Sequence, residues 1–227
     1  MALAFAFKVL GDFSVRRDGA VVALPQSRKT RALLAYLAVI EKPQRRERLC
    51  ELFWDVPDDP RGALRWSLAK LRPILNADGK MRLLADRNMV HLDPGSIDLD
   101  YDLVRGLLPE AIEALPTDRL EAIVTAFSGS FLSDLYLPRC AVFEAWRVYC
   151  ANQTEILRLK VLRTLISRLA DEPDRALIHA HMLQSLLPLL GASAQLSVLR
   201  LQTTRRLGAR RGCAVVAVSD LQPAGQT

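Results

Sequence analysis

Between positions 61 and 72, cationic side chains and one indole recur at close spacing: Arg61, Arg65, Trp66, Lys70 and Arg72. Guanidinium and ammonium groups donate hydrogen bonds to phosphate oxygens and to the O6 and N7 acceptors of guanine. Counting 100° per residue from Arg61, Leu64, Leu68, Leu71 and Leu75 fall between about 280° and 340°, a narrow apolar stripe that has to pack inward. Opposite lie Ala69 at about 80°, Trp66 at about 140° and Lys70 at about 180°, with the three arginines along one shoulder at roughly 0° to 40°. The outward face is therefore small, aromatic and basic. A helix about 10–12 Å across fits the major groove of a DNA duplex, where Lys70 and the arginines meet bases or phosphates and Trp66 meets a thymine methyl or a sugar. The competing reading is a solvated charged face on an ordinary surface helix, and the surrounding elements have to decide between the two.

Elsewhere the sequence is poor in reactive constellations. There is no GxSxG, P-loop, HExxH or strand-following GxGxxG, and Phe127-Ser128-Gly129-Ser130 lacks the glycine spacing of a nucleophile elbow. His179 and His181 stand two apart on a helical pattern, so they point to different faces and do not hold a metal together. Cys50, Cys140, Cys150 and Cys213 form no CxxC pair and read as buried thiols in a reducing compartment. Catalysis, a metal site and a cofactor are not expected. The apolar start, Met1 to Leu10, is short, broken by Lys8, and has neither a basic segment before it nor a small-residue cleavage site after it. No stretch reaches the roughly 18 uncharged apolar residues of a membrane span. The expectation is a cytoplasmic protein with no membrane partner.

The elements that position the basic helix are readable in order. Residues 5–24 alternate with period two, through Phe5, Phe7 and Val9, then Phe13 and Val15, then Val22 and Leu24, interrupted by turn signals at Gly11-Asp12 and Arg17-Asp18-Gly19. From Ser27, available as an N-cap, the period changes, and Leu33, Leu34, Leu37 and Ile40 mark a helix stopped before Pro43. A second helix runs from about Arg46 to Trp54, a third from Arg61 to about Leu75. Two short alternating runs, Met81 to Leu84 and Met89 to Leu92, then flank Asp86-Arg87-Asn88 as a hairpin. A small sheet, three helices and a closing hairpin make a winged helix-turn-helix with an extra N-terminal antiparallel sheet. Arg82 and Arg87 belong to its wing, and Arg28, Lys29, Arg45 and Arg46 stand near helix N-termini, where phosphate is favoured.

Beyond Asp98-Leu99-Asp100-Tyr101-Asp102 the pattern becomes helical, with helices expected at about 109–127, 139–170 and 173–188. The predicted fold is mainly α with a small β content: a winged-helix domain over 1–95, an all-helical domain over 96–207 and a poorly ordered tail over 208–227. Charge divides along the same lines. Residues 1–95 hold 17 Lys and Arg against 11 Asp and Glu, 96–199 hold 9 against 13, and 200–227 hold 5 against 1. A basic front half suits a polyanion and an acidic middle suits something else.

Four segments of the front half resemble bacterial transcriptional regulators of the antibiotic regulatory protein (SARP) type: Leu10-Gly11-Asp12-Phe13-Ser14-Val15, Arg28 to Leu37, Arg46 to Trp54, and Leu64 to Arg72. Ile97-Asp98-Leu99-Asp100 and Gly129-Ser130-Phe131-Leu132-Ser133-Asp134-Leu135 are similar to the tetratricopeptide-like bacterial transcriptional activator domain that follows in those proteins. The resemblance implies sequence-specific binding to direct repeats of double-stranded DNA by a homo-oligomer, recruitment of RNA polymerase, and no catalysis. It places Arg65, Trp66, Ala69, Lys70 and Arg72 on a recognition helix and Arg82 and Arg87 in a wing. Pro73 departs from the family pattern and is expected to bend or end the helix early. The sequence after Leu190 departs from it as well. The alternative function is a helical protein-interaction or oligomerisation module without DNA binding, built on the leucine-rich stripes at 156–169 and 177–190.

Overall fold

The computed structural model of the chain describes residues 5–54 and 59–186. The expected tail at 208–227, Cys213 and the end of the last expected helix lie outside the described residues.

Strand β1 (Phe5–Lys8) pairs antiparallel with β2 (Ser14–Arg17), and β2 with β3 (Ala20–Val21). The β2–β3 turn consists of Asp18 and Gly19, both at positive φ (51° and 85°), between the paired Arg17 and Ala20. Two-residue turns of this kind match the twist of the strands they join. Phe5, Phe7 and Val15 are buried while their neighbours face outward, as the alternation requires. The third strand is shorter than expected: Val22 and Leu24 lie beyond it, although the Val22 N–H still reaches the Val15 carbonyl at 2.9 Å.

Helix α1 (Arg28–Ile40) starts as its sequence requires, with Ser27 Oγ accepting the Thr30 N–H, and ends at Glu41, whose φ is 57°. Residues 32–39 are buried without interruption, so α1 is the central helix of the N-terminal part. After β4 (Gln44–Arg45) come α2 (Arg46–Phe53) and α3 (Pro60–Leu75). Asp59 caps α3 by accepting the Gly62 N–H at 2.7 Å, and Pro60 occupies a first-turn position that needs no donor. Pro73 does not end α3 early. It lies in the last turn, where its missing N–H removes only the bond to the Ala69 carbonyl, and the helix continues to Leu75.

The wing hairpin is β5 (Leu83–Ala85) and β6 (Met89–Leu92), with β4 on the other edge of β6. Strand β7 (Ile97–Leu99) then runs parallel to β1 and completes a sheet of order β3-β2-β1-β7. Neither β4 nor β7 is evident in the sequence. Two or three residues carry no readable period, and their partners are remote along the chain.

The remaining helices are α4 (Thr117–Ala126), α5 (Ala141–Arg168) and α6 (Pro173–Leu186). The single helix expected over 109–127 is divided into a 3₁₀ segment, Pro109–Ala114, and α4. Pro116 supplies no N–H and holds Leu115 extended at φ −72°, ψ 146°, which separates the two.

The chain packs as two compact units. The first contains the described residues up to Gly106 together with Thr125–Ile156; the second contains Leu107–Val124 and the described residues from Leu157 onward. Within the first, the 128–134 loop is bound to the loop after β1. The Ser128 and Leu132 N–H groups donate to the Leu10 and Val9 carbonyls at 2.8 and 2.9 Å, and Asp134 Oδ1 accepts the Phe13 N–H at 2.7 Å. Gly11, at φ 144°, sits under this loop, and a β-carbon there would lie 2.1 Å from Ser128 Oγ. Tyr36, Phe53, Phe131, Phe143 and Trp146 form a continuous aromatic cluster, with Tyr36 and Trp146 centroids 4.9 Å apart in edge-to-face contact. The second unit buries Ile112, Leu120, Val161, Leu162, Leu165 and Leu183, and its cations Lys160 and Arg175 are paired with Glu113 and with Glu121 and Glu172.

Candidate nucleic-acid interface

The leucine stripe of α3 is pinned as its spacing requires. Leu64, Leu68, Leu71 and Leu75 are at most 1% exposed. A buried hydroxyl pair, Thr30 Oγ1 and Ser67 Oγ at 3.0 Å, fixes α3 against α1 within the same inward face. With that side committed, the opposite side projects outward. The Arg61 and Arg65 side chains are 76% and 74% exposed, Trp66 is 55% exposed, and Ala69, Lys70 and Arg72 are exposed. Lys70 Nζ stands 3.4 Å from the Trp66 ring centroid, one helical turn along. Arg61 lies 3.4 Å from Glu47 and Arg65 lies 4.0 Å from Asp59. Exposed pairs of this kind contribute about 0–1 kcal/mol, so they yield readily to a phosphate.

The wing is built onto this helix by polar contacts to backbone. Arg72 Nη2 donates to the Ala85 carbonyl at 3.2 Å. Asn76 Oδ1 accepts the Arg82 and Leu83 N–H groups, both at 3.0 Å, while its amide donates to the Leu83 carbonyl at 3.3 Å. From the other side, Arg46 Nε donates to the Asp86 carbonyl at 2.9 Å and its backbone N–H to the Asn88 carbonyl at 2.9 Å. At the tip, Asp86 Oδ1 accepts the Met89 and Asn88 N–H groups at 2.8 and 2.7 Å, which holds its carboxyl below the usual range. This turn presents Arg87, exposed, at the end of the hairpin.

Arg82 is a correction. Expected in the wing facing DNA, it is fully buried, forks onto the Asp78 carboxylate, donates to the Leu75 carbonyl at 2.8 Å and lies 4.7 Å from the Phe5 ring centroid. Its position just before β5 turns it inward, and its charge is spent within the fold. The other expected residues are divided by exposure. Arg28, Arg45 and Arg87 are exposed, Lys29 and Arg46 half-buried, and Arg46 and Arg72 share their guanidinium groups with wing carbonyls. Asn76 and Asp86 position the wing, whereas the sequence presents them only as turn residues. Their signal is their place, at the end of a helix and the start of a tight turn. Among the described residues no cluster of three or more His, Cys, Asp or Glu is placed to hold a metal ion.

No family model matches the sequence, and no curated protein matches it. Among solved structures it is similar to EmbR of Mycobacterium tuberculosis, determined in complex with a low-affinity phosphopeptide. The match covers 92% of this chain and 69% of that one, with a TM-score of 0.54 and 18% identity. At that identity the likeness is one of fold, an N-terminal part containing β structure followed by helices. No helix among the described residues is long and apolar enough to cross a membrane.

Proposed function

We propose that the protein is a sequence-specific DNA-binding transcriptional regulator, with α3 entering the major groove and the β5–β6 wing against the backbone or the minor groove. The observation that carries this reading is the commitment of α3: its leucine stripe is fully buried, and Arg61, Arg65, Trp66, Ala69 and Lys70 are all turned to solvent beside an exposed Arg87. Phosphate contacts from Arg28, Arg45, Arg61 and Arg65 supply affinity, with Lys29, Arg46 and Arg72 at the margins, and α3 supplies selectivity. The likeness in fold to EmbR and the resemblance of the sequence to SARP-type regulators support the same reading. On it, residues 1–95 are the DNA-binding part and the chain from residue 96 onward the effector part. The resemblance extends the proposal to a homo-oligomer on direct repeats, to activation through RNA polymerase, and to a protein that is not an enzyme and works in the cytoplasm.

A second reading, the interaction module, does not rest on the leucine stripe expected at 156–169, since Leu157, Leu159, Leu162, Leu165 and Leu169 are buried. It is favoured instead by Val142, Val148, Tyr149 and Ile156 on α5, 46–64% exposed, an apolar face suited to a protein partner. The discriminating experiment is charge reversal. Lys70→Glu is expected to abolish retention of promoter fragments in a mobility-shift assay, whereas reversal of the exposed Arg163 of α5 leaves it unchanged. Equal effects of the two, or no retention by the unmodified protein, contradict DNA binding and leave the interaction module.

A further inference from the structure

The face of α3 opposite its leucine stripe has an unusual centre line. The stripe is centred at about 310°, so the outward mid-line falls near 130°. The residues on or next to it are Gly62 at about 100°, Trp66 at about 140°, Pro73 at about 120° and Ala69 at about 80°. Trp66, Ala69 and Pro73 are exposed, and Gly62 is half-buried. Among the side chains of these four, the only hydrogen-bonding group is the indole N–H of Trp66. The cations stand to the sides: Arg61, Arg65 and Arg72 on one shoulder, and Lys70 on the other, its ammonium 3.4 Å over the indole. That contact restrains Trp66 before any ligand arrives, while the residue stays 55% exposed.

A reading helix whose mid-line is apolar has little with which to distinguish bases by donor and acceptor pattern. The apolar group that the major groove offers is the 5-methyl of thymine. We propose that the Trp66, Ala69 and Pro73 mid-line of α3 recognises thymine methyl groups, with Lys70 holding the indole in place and the arginine shoulder on phosphate. This rests on the DNA-binding reading above. It also gives Pro73 a role: a residue without an N–H costs little in the last turn of α3 and adds apolar surface in line with the indole. A protein partner for the same patch is the competing occupant, but the cations on its two shoulders, Arg61 and Arg65 on one and Lys70 on the other, favour a polyanion.

The experiment uses the full chain and duplexes of about 20 base pairs that it selects from a random-sequence library. Each dT of a selected duplex is then replaced singly by dU, which deletes the methyl and keeps the base pair. The expected result is one or two positions per site at which dU weakens binding by about fourfold, the loss of one buried methyl. Trp66→Ala is expected to bind more weakly and to lose the distinction between dT and dU at those positions, while Arg163→Ala retains it. Because the dU scan is made on the unmodified protein, it decides the matter even where Trp66→Ala folds poorly, and Trp66→Phe serves as a second variant. Salt-sensitive binding with dT and dU equal at every position, or selected sites without thymine, overturns the inference and leaves the function standing. Discrimination that persists in Trp66→Ala overturns the role of the indole. Failure to select any duplex overturns the function and the inference together.

Discussion

Arg82 and Arg87 lie five positions apart in one hairpin and have opposite fates. Arg82 is buried in a forked pair with Asp78, whereas Arg87 stands exposed at the tip. Removing one partner of a buried pair leaves the other charge uncompensated, so Arg82→Ala is expected to destabilise the fold by about 3 kcal/mol. Arg87→Ala is expected to change stability by less than about 0.5 kcal/mol and to weaken DNA binding by roughly fivefold. Thermal unfolding and anisotropy measured on both variants check this; a stable Arg82→Ala with weakened binding reverses the assignment. In the sequence the two arginines are alike, and the difference comes from Asp78, four residues before Arg82 in a turn, a partner that alternation does not reveal. A second residue-scale case is Asp100, whose carboxylate accepts the Val9 N–H at 2.9 Å and the Leu10 N–H at 3.1 Å. Burial pushes this carboxyl up to about 6, against the lowering effect of those donors. Since the folded value is raised, its contribution to stability is fully present below about pH 4 and is lost as pH rises through about 6, a change on the order of 3 kcal/mol. Unfolding measured between pH 4 and pH 7 is expected to show that fall in the unmodified protein and a flatter profile in Asp100→Asn; parallel profiles contradict it.

At the scale of elements, α3 is oriented by apolar packing and by one buried hydroxyl contact between Thr30 and Ser67. Thr30→Val or Ser67→Ala alone deprives a buried hydroxyl of this partner and is expected to cost about 1–2 kcal/mol. The double variant is expected to cost less than the sum of the two by about 1 kcal/mol, measured by denaturant unfolding as a cycle; strict additivity contradicts the coupling. What is legible here follows from locality. Ser27 and Asp59 as caps, the leucine stripe of α3 and the wing turn are all encoded within a few residues, and each is recoverable apart from the exact cap of α3. The short strands β4 and β7 are not, because their pairing partners lie about 45 and 90 residues away. The loop at 128–134 is visible only as a resemblance, and its physical role is the hydrogen bonding it makes to residues 9–13.

At the scale of the whole molecule, the excess of cations in residues 1–95 and of anions in 96–199 sets the field that a polyanion meets. Lys160, Arg168 and Arg175 of the second unit are engaged by its own carboxylates or carbonyls, whereas Arg61 and Arg65 of α3 are held by exposed pairs at 3.4 and 4.0 Å. The fold supplies the scaffold that turns the α3 side chains to solvent. The most direct measurement is the salt dependence of binding by the full chain to a selected duplex, followed by anisotropy between about 50 and 200 mM salt. Engagement of some four to six phosphates by the exposed cations predicts a slope of log K against log salt of about −4 to −5, reduced by about one in Arg65→Ala. A flat response, or a slope unchanged when the α3 cations are removed, contradicts the account.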